Sequence, residues 1–588
     1  MSDRPRADRH DRRRAVALLV EAARPDRREV VAAALLLTVA GLLEAAGPIF
    51  GKELIDRYLL PRNADLLAMG LLIAGVLASG WVSSIIRYFQ LKRLAGLSTR
   101  SVQRLRERVY AHALGLPMSF FDRAITGQLV SRITNDTEAV KELYLKVLFE
   151  VLVGLTVLGG VTVAMLWLDW RLMLIVMLLV PATVGIVLGY ERLSAGAVAR
   201  ARELRSEINA QMAESIAGMA VLQAAGAAQR YGERFARTND AHYRARLGEV
   251  RANAWLLRPA LDFVNVLLIV ALVAAIGTDT LQGVEVGLLY AFIAYVARVV
   301  EPLIQIALQF SMLQQSIIAA SRVDALLSEP SQAQPVDARR IAAGHVEIAD
   351  VSFGYDPERP VLHDVSLDIP AGSFVGIVGP TGSGKSTLLS LLLRFYAPQS
   401  GRIDIDGMPI GGIDAAHFRD AVGLVPQEPF LLAASVRVNI DMGRGIAFER
   451  IEAAARAARA HDFVAQLPQG YDTELGEGGA RLSSGQKQLV AIARALAGRP
   501  RVLLLDEATS RIDSETEQAV RAAVAEVARD TTVIAIAHRL STIRAADRIV
   551  VLLHGRIAES GTHDALMAID GGIYRRLYEL QQIASDAS

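Results

Sequence analysis

The sequence of 588 residues contains no cysteine. That absence excludes a disulfide framework, a thiolate metal site and a cysteine nucleophile. An excess of one charge is also missing, because 63 lysine and arginine residues balance 62 aspartate and glutamate residues. No basic surplus therefore points to a nucleic-acid partner. The length is too great for one ordinary domain. Charged residues amount to only 21% while hydrophobic residues reach 52%, a high hydrophobic share for a soluble protein.

Long apolar runs recur in the first half of the chain. A helix needs about 20 largely apolar residues to cross a bilayer. The six predicted spans cover residues 30–50, 65–87, 147–168, 171–190, 258–278 and 286–310. Basic residues collect in the two long connections, after the second and fourth spans. Because positive charge marks the cytoplasmic side, we expect both termini and both long connections in the cytosol.

The remaining chain divides by composition. Residues 1–28 are rich in arginine without the apolar core of a signal peptide, so we expect a cytosolic tail and an amphipathic segment on the membrane surface. Residues 329–344 have the proline, alanine and serine content of a linker. From residue 345 onward, β-type runs alternate with helical segments, which is typical of α/β organisation.

The stretch GPTGSGKST, residues 379–387, follows an apolar strand-type run and precedes a helical one. It fits the pattern G-x-x-x-x-G-K-[ST], in which backbone N–H groups form a cradle for phosphates. The start of the following helix attracts the same anion. Lys385 can reach the terminal phosphates and Ser386 can bind Mg²⁺. The alternative, a glycine-rich turn that binds nothing, is disfavoured by the strand–loop–helix context.

Further polar residues follow apolar strands. Asp506 and Glu507 end the run RVLLLDE, where they can sit beside Mg²⁺ and polarise a water for attack on a γ-phosphate. Gln427 follows VGLVP, and His538 follows TTVIAIA. The stretch LSSGQ, residues 482–486, opens a helix and can bind an anion. Taken singly, Gln427 could be a turn residue, His538 a strand-end histidine with satisfied hydrogen bonds, and LSSGQ an ordinary helix N-cap. Their order and their placement at strand ends favour a single binding site.

With these motifs in this order, the chain resembles the ABC transporter superfamily, specifically its exporter half-transporters, over nearly its whole length. The resemblance implies a fold of six long transmembrane helices, an all-α membrane domain, followed by an α/β nucleotide-binding domain of the P-loop type. We therefore predict a tail and elbow helix (1–28), a transmembrane domain (29–328), a linker (329–344) and an ATP-binding domain (345–588). Residues 117–136 and 214–226 look like the family's two intracellular loops.

The resemblance also implies a role for each motif. ATP and Mg²⁺ are the implied cofactors, with Glu507 and His538 catalytic. The implied nucleotide-binding residues are Tyr355, Gly379, Thr381, Gly382, Ser383, Gly384, Lys385, Ser386, Thr387, Gln427, Ser483, Ser484, Gly485, Gln486 and Asp513. The implied metal-binding residues are Ser386, Gln427 and Asp506, the last either as a direct ligand or through a ligand of the ion.

The family works by ATP-dependent closure of two ATP-binding domains, so the resemblance implies a second half-transporter as partner. The commonest signature is LSGGQ, whereas this chain has Ser484, and its D-loop has Arg511 and Ile512 where Ala-Leu is usual. This combination is similar to chains that pair with a catalytically weaker half. A heterodimer is therefore favoured, and a homodimer remains the alternative.

The resemblance implies export of an amphipathic small molecule, lipid or peptide across the bacterial cytoplasmic membrane. The alternatives are an exporter-fold protein that imports or handles a defined ligand such as a metal chelate, and a nucleotide-gated membrane protein that does not pump. Glu44, Asp262, Arg298 and Glu301 fall within or near the spans. Such residues usually face a cavity or a partner. Contact with substrate and pairing between helices both remain open for them.

Overall fold

The computed structural model describes residues 14, 17, 21, 24–63, 65–252, 254–255, 258–277, 286–331, 339–506, 514–528, 531–537 and 540–586. The chain divides into two compact units. The first unit consists of Met1–Gly115 and Ala124–Pro330, and the second of Leu116–Arg123 and Ser331–Ser588.

Helices make up the first part of the chain. They are α1 (Arg27–Leu54), α2 (Leu66–Leu114), α3 (Met118–Phe121), α4 (Thr126–Ser131), α5 (Thr137–Glu142), α6 (Phe149–Leu168), α7 (Trp170–Met177), α8 (Leu179–Ala217), α9 (Met219–Ala224), α10 (Ala228–Ala252), α11 (Arg258–Gly277) and α12 (Val286–Leu327). A 3₁₀ turn, Arg24–Asp26, precedes α1, and π-helical turns cover Ile55–Leu59, Arg132–Asp136 and Leu143–Leu148.

Several of these helices have the length and composition of membrane spans. Within the described ranges, five qualify: Arg24–Leu59, Leu66–Leu114, Phe149–Leu168, Trp170–Ala217 and Val286–Ile306. A shorter apolar helix covers Pro259–Ala275. In order along the chain, these six helices correspond to the six predicted spans. The second and fourth continue far beyond bilayer thickness, which accounts for the two long basic connections of the sequence.

Small residues let the membrane helices approach closely. A Cβ placed on Gly160 of α6 would lie 3.2 Å from the carbonyl oxygen of Gly41 in α1. Large apolar side chains such as Trp81 and Trp167 are instead exposed on the outer surface of the unit. This arrangement, with small residues at helix contacts and large apolar ones outside, is the one expected in lipid.

The second unit contains two sheets. The strands are β1 (Val346–Phe353), β2 (Leu362–Ile369), β3 (Phe374–Val378), β4 (Ser400–Ile405), β5 (Met408–Pro409), β6 (Val422–Val425), β7 (Val502–Asp506), β8 (Thr532–Ile536), β9 (Arg548–Leu553) and β10 (Arg556–Gly561). One antiparallel sheet has the order β2-β1-β4-β5, and a six-stranded sheet has the order β10-β9-β3-β8-β7-β6. In the larger sheet β3 pairs in parallel with β8 and β9, and β7 pairs in parallel with β6 and β8.

Helices cover the larger sheet. They are α13 (Lys385–Leu392), α14 (Ala415–Ala421), α15 (Val436–Asp441), α16 (Phe448–Ala457), α17 (His461–Ala465), α18 (Ser484–Ala497), α19 (Ser514–Val527), α20 (His563–Met567) and α21 (Ile573–Asp586). Successive strand residues alternate between two cores, as in β7, where Leu503 and Leu505 pack with α15, α16 and α18 while Val502 and Leu504 face the smaller sheet. This alternation follows from the period of two along a strand and explains why these strands are apolar throughout.

The boundary of the second unit differs from the continuous ranges predicted from the sequence. Leu116–Arg123, inside the predicted transmembrane domain of residues 29–328, belongs to the second unit. The Tyr396 hydroxyl donates a hydrogen bond to the Asp122 carboxylate in this segment. Burial and that bond raise the pKa of Tyr396 to about 12. The segment thus contacts a residue that is distant in sequence, and composition does not reveal such a contact.

Asp406 fixes the entry of the chain into β1. It lies with Gly407 in the two-residue turn between β4 and β5, where both have positive φ, 51° and 70°, as a type I′ turn requires. Its carboxylate accepts hydrogen bonds from the backbone N–H groups of residues 342–345, at 2.8–3.0 Å. Burial opposes ionisation of this carboxyl, but the four N–H groups outweigh it and lower its pKa.

We predict that Asp406→Asn destabilises the second unit, because an amide NH₂ group then faces backbone donors. The expected loss is about 1–3 kcal/mol, which lowers the thermal midpoint by several degrees. Differential scanning fluorimetry of the full chain measures it. Since the folded pKa is depressed, the carboxylate stabilises fully above the ordinary aspartate value of about 4, and its advantage over asparagine shrinks as the pH falls below it. Asp570→Asn, at an exposed position, is the control, and equal midpoints for both variants would contradict the prediction.

Candidate nucleotide-binding site

The strand ends of the six-stranded sheet bring the predicted residues to one edge. Ile536 of β8 is in register with Ile377 of β3 on one side and with Asp506 of β7 on the other. Asp506 therefore lies two strand spacings, about 10 Å, from Ile377, two residues before the phosphate loop begins at Gly379. Val425 of β6 pairs with Leu505, so Gln427 leaves the sheet at the same edge. Ligands of open α/β sheets bind at this carboxyl edge.

The loop between β3 and α13 has the backbone that a phosphate cradle needs. Gly379, Gly382 and Gly384 have φ of 152°, 80° and 101°, values that residues with a Cβ rarely adopt. A Cβ on Gly384 would lie 2.6 Å from the Leu362 side chain, and one on Gly379 would collide with the carbonyl oxygen of Leu552. Glycine is thus required by space as well as by dihedral angle, and the loop is held tightly against its surroundings.

Polar groups of the loop point in two directions. Ser383 is 2% exposed, and its hydroxyl oxygen is buried without a hydrogen-bond partner within the described residues. The Lys385 ammonium donates to the carbonyl oxygens of Gly379 and Pro380, both at 2.9 Å, which holds it over the loop. Ser386 is exposed at the first turn of α13, whereas Thr387 is buried, and Thr381 is exposed. An anion in this loop would meet backbone donors, the helix start and an ammonium group.

Tyr355 lies in the connection between β1 and β2. Its ring is half exposed and packs edge to face on Tyr396, with centroids 5.1 Å apart, and on Phe353, with centroids 5.3 Å apart. Leu362, at the start of β2, is the side chain nearest Gly384. The connection that carries Tyr355 therefore runs beside the phosphate loop, and its supported ring is suited to stacking on a base.

The signature stretch is a well-formed helix start. Ser483 caps α18: its hydroxyl accepts from the Gln486 N–H at 3.2 Å, and the Gln486 side chain accepts from the Ser483 N–H at 3.0 Å. Ser484 is exposed in the first helical position and Gly485 is buried. Ser484 is not among the residues with positive φ, so the departure from glycine costs no backbone strain. α18 packs on the helical layer formed by α15 and α16, whereas the phosphate loop is attached to β3.

A hydrogen bond joins α18 of the helical layer to the segment that follows β6 of the sheet. The Gln488 side chain of α18 donates to the carbonyl of Pro426 at 3.2 Å, next to the exposed Gln427. The sequence analysis did not single out Gln488, although its place three residues after the signature glycine was a usable signal. The predicted residues Glu507, Asp513 and His538 lie outside the described residues, as do Arg511 and Ile512.

The oxygen donors near the loop fit Mg²⁺. Mg²⁺ prefers oxygen ligands and is usually held by one or two protein groups together with substrate phosphates and water. The exposed hydroxyl of Ser386, the carboxamide of Gln427 and the half-buried carboxylate of Asp506 supply such donors at one sheet edge. Across the part of the chain that the structure describes, no group of three or more histidine, cysteine or acidic side chains could hold a metal.

The ionisable residues of the membrane unit separate into different environments. Glu44 forms an ion pair with Arg87, and Arg298 donates to the Glu44 carbonyl oxygen. Glu301 accepts from Gln305 at 2.8 Å. Asp262 is exposed on α11. Of the two interpretations left open by the sequence, substrate contact and pairing between helices, Glu44 shows the second, because its partner Arg87 lies on α2. The sequence analysis missed Arg87 because it directly follows a charge-free run.

Comparison with known proteins gives consistent matches. Residues 362–510 match the family described as ABC transporter, and residues 30–303 match the ABC transporter transmembrane region. The multidrug resistance-like ATP-binding protein MdlB of Buchnera aphidicola subsp. Acyrthosiphon pisum is 35% identical over 559 residues, 95% of this chain and 96% of that protein. The ATP-dependent lipid A-core flippase of Syntrophus aciditrophicus is 34% identical over 569 residues, 96% of this chain and 94% of that one.

A solved structure matches the whole architecture. It is the structure of a bacterial Atm1-family ABC exporter with ATP bound, which is 32% identical. The match covers 94% of this chain and 98% of that one, with a TM-score of 0.79.

We predict that Gly379→Ala weakens nucleotide binding, because the added methyl collides with the Leu552 carbonyl oxygen and pushes the loop out of its cradle conformation. The measurement is titration of the purified full chain with a fluorescent ATP analogue, where affinity is expected to fall at least tenfold, about 1.4 kcal/mol or more. Gly411→Ala, at a glycine with no atom within 4 Å of the added carbon, should bind normally. Equal affinity of both variants would show that the loop does not depend on this contact.

Proposed function

The chain belongs to the ABC transporter family and is an ATP-driven exporter half-transporter, and from this premise we propose that it moves an amphipathic small molecule, lipid or peptide across the membrane. The predicted fold class, a helical membrane domain of the exporter type followed by an ABC ATPase domain, is confirmed. Relatives named for multidrug resistance and for lipid A-core flipping support an amphipathic substrate.

The observation that carries this proposal is the register of the sheet edge. The phosphate loop follows β3, Asp506 ends β7 and Gln427 follows β6, all at the carboxyl edge of one parallel sheet. In the same chain, helices long enough to span a bilayer precede this sheet. A phosphate site fused to membrane helices is what ATP-powered translocation requires.

We assign the nucleotide-binding roles as follows. Tyr355 stacks on adenine, the N–H groups of residues 379–387 surround the phosphates, and Lys385 contacts the terminal phosphates. Glu507 polarises the attacking water and His538 contacts the γ-phosphate, in positions expected from the motif order. Ser386, Gln427 and Asp506 would hold Mg²⁺, which when bound neutralises charge on the phosphate oxygens.

ABC exporters work as dimers, and we propose that two separate elements of each chain take part in binding phosphate. The capped start of α18 belongs to the helical layer, and the phosphate loop belongs to the sheet. In the proposed dimer, Ser483 of one chain completes the site at the phosphate loop of the other, so ATP favours closure and hydrolysis releases it. We propose a distinct, catalytically weaker half-transporter as the partner, on the strength of Ser484, Arg511 and Ile512.

We further propose that the protein lies in the cytoplasmic membrane with both termini in the cytosol. The basic residues on the extended C-terminal parts of α2 and α8 and on α10 support that orientation. Residues 117–136 and 214–226, which contain the short helices α3 and α9, would transmit closure of the ATP-binding domains to the membrane helices.

The deciding experiment is the ATPase rate of this chain purified alone from membranes, with Glu507→Gln as the blank. We expect little activity above the blank from well-folded protein, and restored activity when the partner half is present. Activity well above the blank from the chain alone would replace the heterodimer by a homodimer. Lys385→Ala should be inactive in either assembly, because the ammonium that contacts the terminal phosphates is lost. Retained activity in that variant would overturn the proposed site itself.

A further inference from the structure

A charged cavity of about 360 Å³ lies among four membrane helices of the first unit. Its walls come from α1, α2, α6 and α12. Three carboxylates and two guanidinium groups line it: Glu44, Glu150, Glu301, Arg87 and Arg298. Its volume is at the lower end of the range for small-ligand pockets. Its charges are unusual for a membrane interior, where ionisable residues are costly and commonly functional.

Only part of this charge is compensated by neighbouring side chains. Glu44 and Arg87 neutralise each other as an ion pair between α1 and α2. Arg298 donates to the backbone carbonyl of Glu44, a neutral acceptor, and has no carboxylate within ion-pair distance in the described chain. Glu150 has neither a hydrogen bond nor an ion pair there. Arg298 and Glu150 therefore line the cavity without a counter-ion, and the third carboxylate, that of Glu301, accepts a hydrogen bond from Gln305.

The two uncompensated charges lie at opposite ends of the cavity. A Cβ on Gly154 of α6 would lie 3.5 Å from the Pro302 side chain of α12, which fixes the contact between these helices. The segments run antiparallel, because Ala139 and Asp136 before α6 bond to Ser316 and Arg322 late in α12. Glu150 is four residues before Gly154, and Arg298 is four residues before Pro302. Their backbones are thus separated by about 12 Å along the helices.

Pro302 adds an acceptor next to the guanidinium group. Proline has no N–H, so the carbonyl of Arg298, four residues earlier, loses its usual helical donor. The carboxylate of Glu301 lies in the adjacent position and is oriented by Gln305 at 2.8 Å. The apolar part of the wall comes from Phe149, Val153 and Val157 on α6. An ammonium group therefore finds oxygen acceptors here, and an apolar body finds a hydrocarbon surface.

The cavity lies at membrane depth. Arg298 is 12 residues and Glu301 is 15 residues from the start of α12 at Val286, about 18 and 22 Å along the helix. A bilayer has a hydrocarbon core about 30 Å thick. Arg298 therefore lies within this depth, and Glu150, about 12 Å farther along, lies near its far end. A ligand that supplies both missing counter-ions partners both charges at once.

We propose that this cavity is a binding site for a zwitterionic group attached to an apolar body, with its acid at Arg298 and its ammonium at Glu150 and Glu301. The inference rests on the proposed function, since it names the substrate class of the transporter. Two sources share this chemistry: a short apolar peptide, and the headgroup of a phosphoethanolamine lipid. A ligand with one charge alone leaves the opposite wall uncompensated.

The first test uses unmodified full-length protein in nanodiscs of phosphatidylglycerol, which contain no zwitterionic lipid. Equilibrium dialysis without nucleotide measures the binding of leucyl-phenylalanine, its methyl ester and its N-acetyl derivative. The ester lacks the acid and the acetylated form lacks the ammonium. The zwitterion should bind at least about tenfold more tightly than either. Equal binding of all three, or no saturable binding of any, overturns the peptide form of the proposal.

The lipid arm replaces the peptides by lysophosphatidylethanolamine and its N-acetylated derivative in the same nanodiscs. Preference for the zwitterionic lysolipid, without preference among the peptides, identifies a headgroup site. Preference among the peptides alone identifies a soluble or partly soluble substrate. Absence of a zwitterion preference in both arms rejects the site.

Two variants then assign the charges. Arg298→Gln keeps a donor for the Glu44 carbonyl but removes the cation, so zwitterion affinity should fall to that of the methyl ester. Glu150→Gln should lower it to that of the N-acetyl form. Arg246→Gln and Glu203→Gln, both exposed and outside the cavity, are the matched controls. A zwitterion preference that survives both cavity variants contradicts the assignment.

Binding without nucleotide is independent of ATP hydrolysis, so the two proposals can fail separately. A protein that selects the zwitterion but hydrolyses no ATP above the Glu507→Gln blank, even when the partner half is present, leaves the cavity assigned and the proposed motor rejected. An active ATPase without zwitterion preference supports the proposed motor and rejects the cavity as a zwitterion site.

Discussion

The parallel register of β3, β8, β7 and β6 is the constraint on which the nucleotide site depends. Each strand is short and buried on both faces, so its polar chemistry can begin only where the strand ends. Parallel strands end at the same edge of a sheet. The stretches of sequence that follow these strands therefore meet there, and no contact between their side chains is needed to bring them together. The alternating core residues of β7, shared between two hydrophobic clusters, fix that register, since a shift by one residue would exchange the two cores.

The same logic explains how far sequence reasoning reached. The phosphate loop is local, because its glycines, lysine and flanking strand are contiguous in sequence, and Gly379 and Gly384 have positive φ there. The strand-end residues Asp506 and Gln427 were recognisable because apolar runs delimit them. Glu507, Asp513 and His538 remain predictions. Ser484 lies in the first helical position of α18 without a positive φ, so its replacement of glycine causes no backbone strain. The signature motif alone left this point open.

What sequence reasoning missed depends on contacts between distant helices. Arg87 and Glu150 lie at the ends of the predicted spans 65–87 and 147–168, where hydropathy gives no information on the direction of a side chain. Only the packing of α1, α2, α6 and α12 turns them toward a shared cavity. Hydropathy averages over a window and therefore cannot distinguish a charge that leaves the membrane from one that faces a cavity. Glu44 and Arg87 neutralise each other as an ion pair, which lowers the cost of placing five ionisable groups between these helices.

The assignment of Leu116–Arg123 to the second unit has a topological consequence. The chain passes between the two units at Gly115, at Arg123 and again at Pro330, so they share three covalent crossings rather than one linker. Proteolytic cleavage in the linker after Pro330 would leave the second unit as a two-chain body that still contains Asp122 against Tyr396. A recombinant fragment that begins at Ser331 would lack that piece of its own fold. The second compact unit is therefore discontinuous in sequence, because it includes Leu116–Arg123 from between the membrane helices.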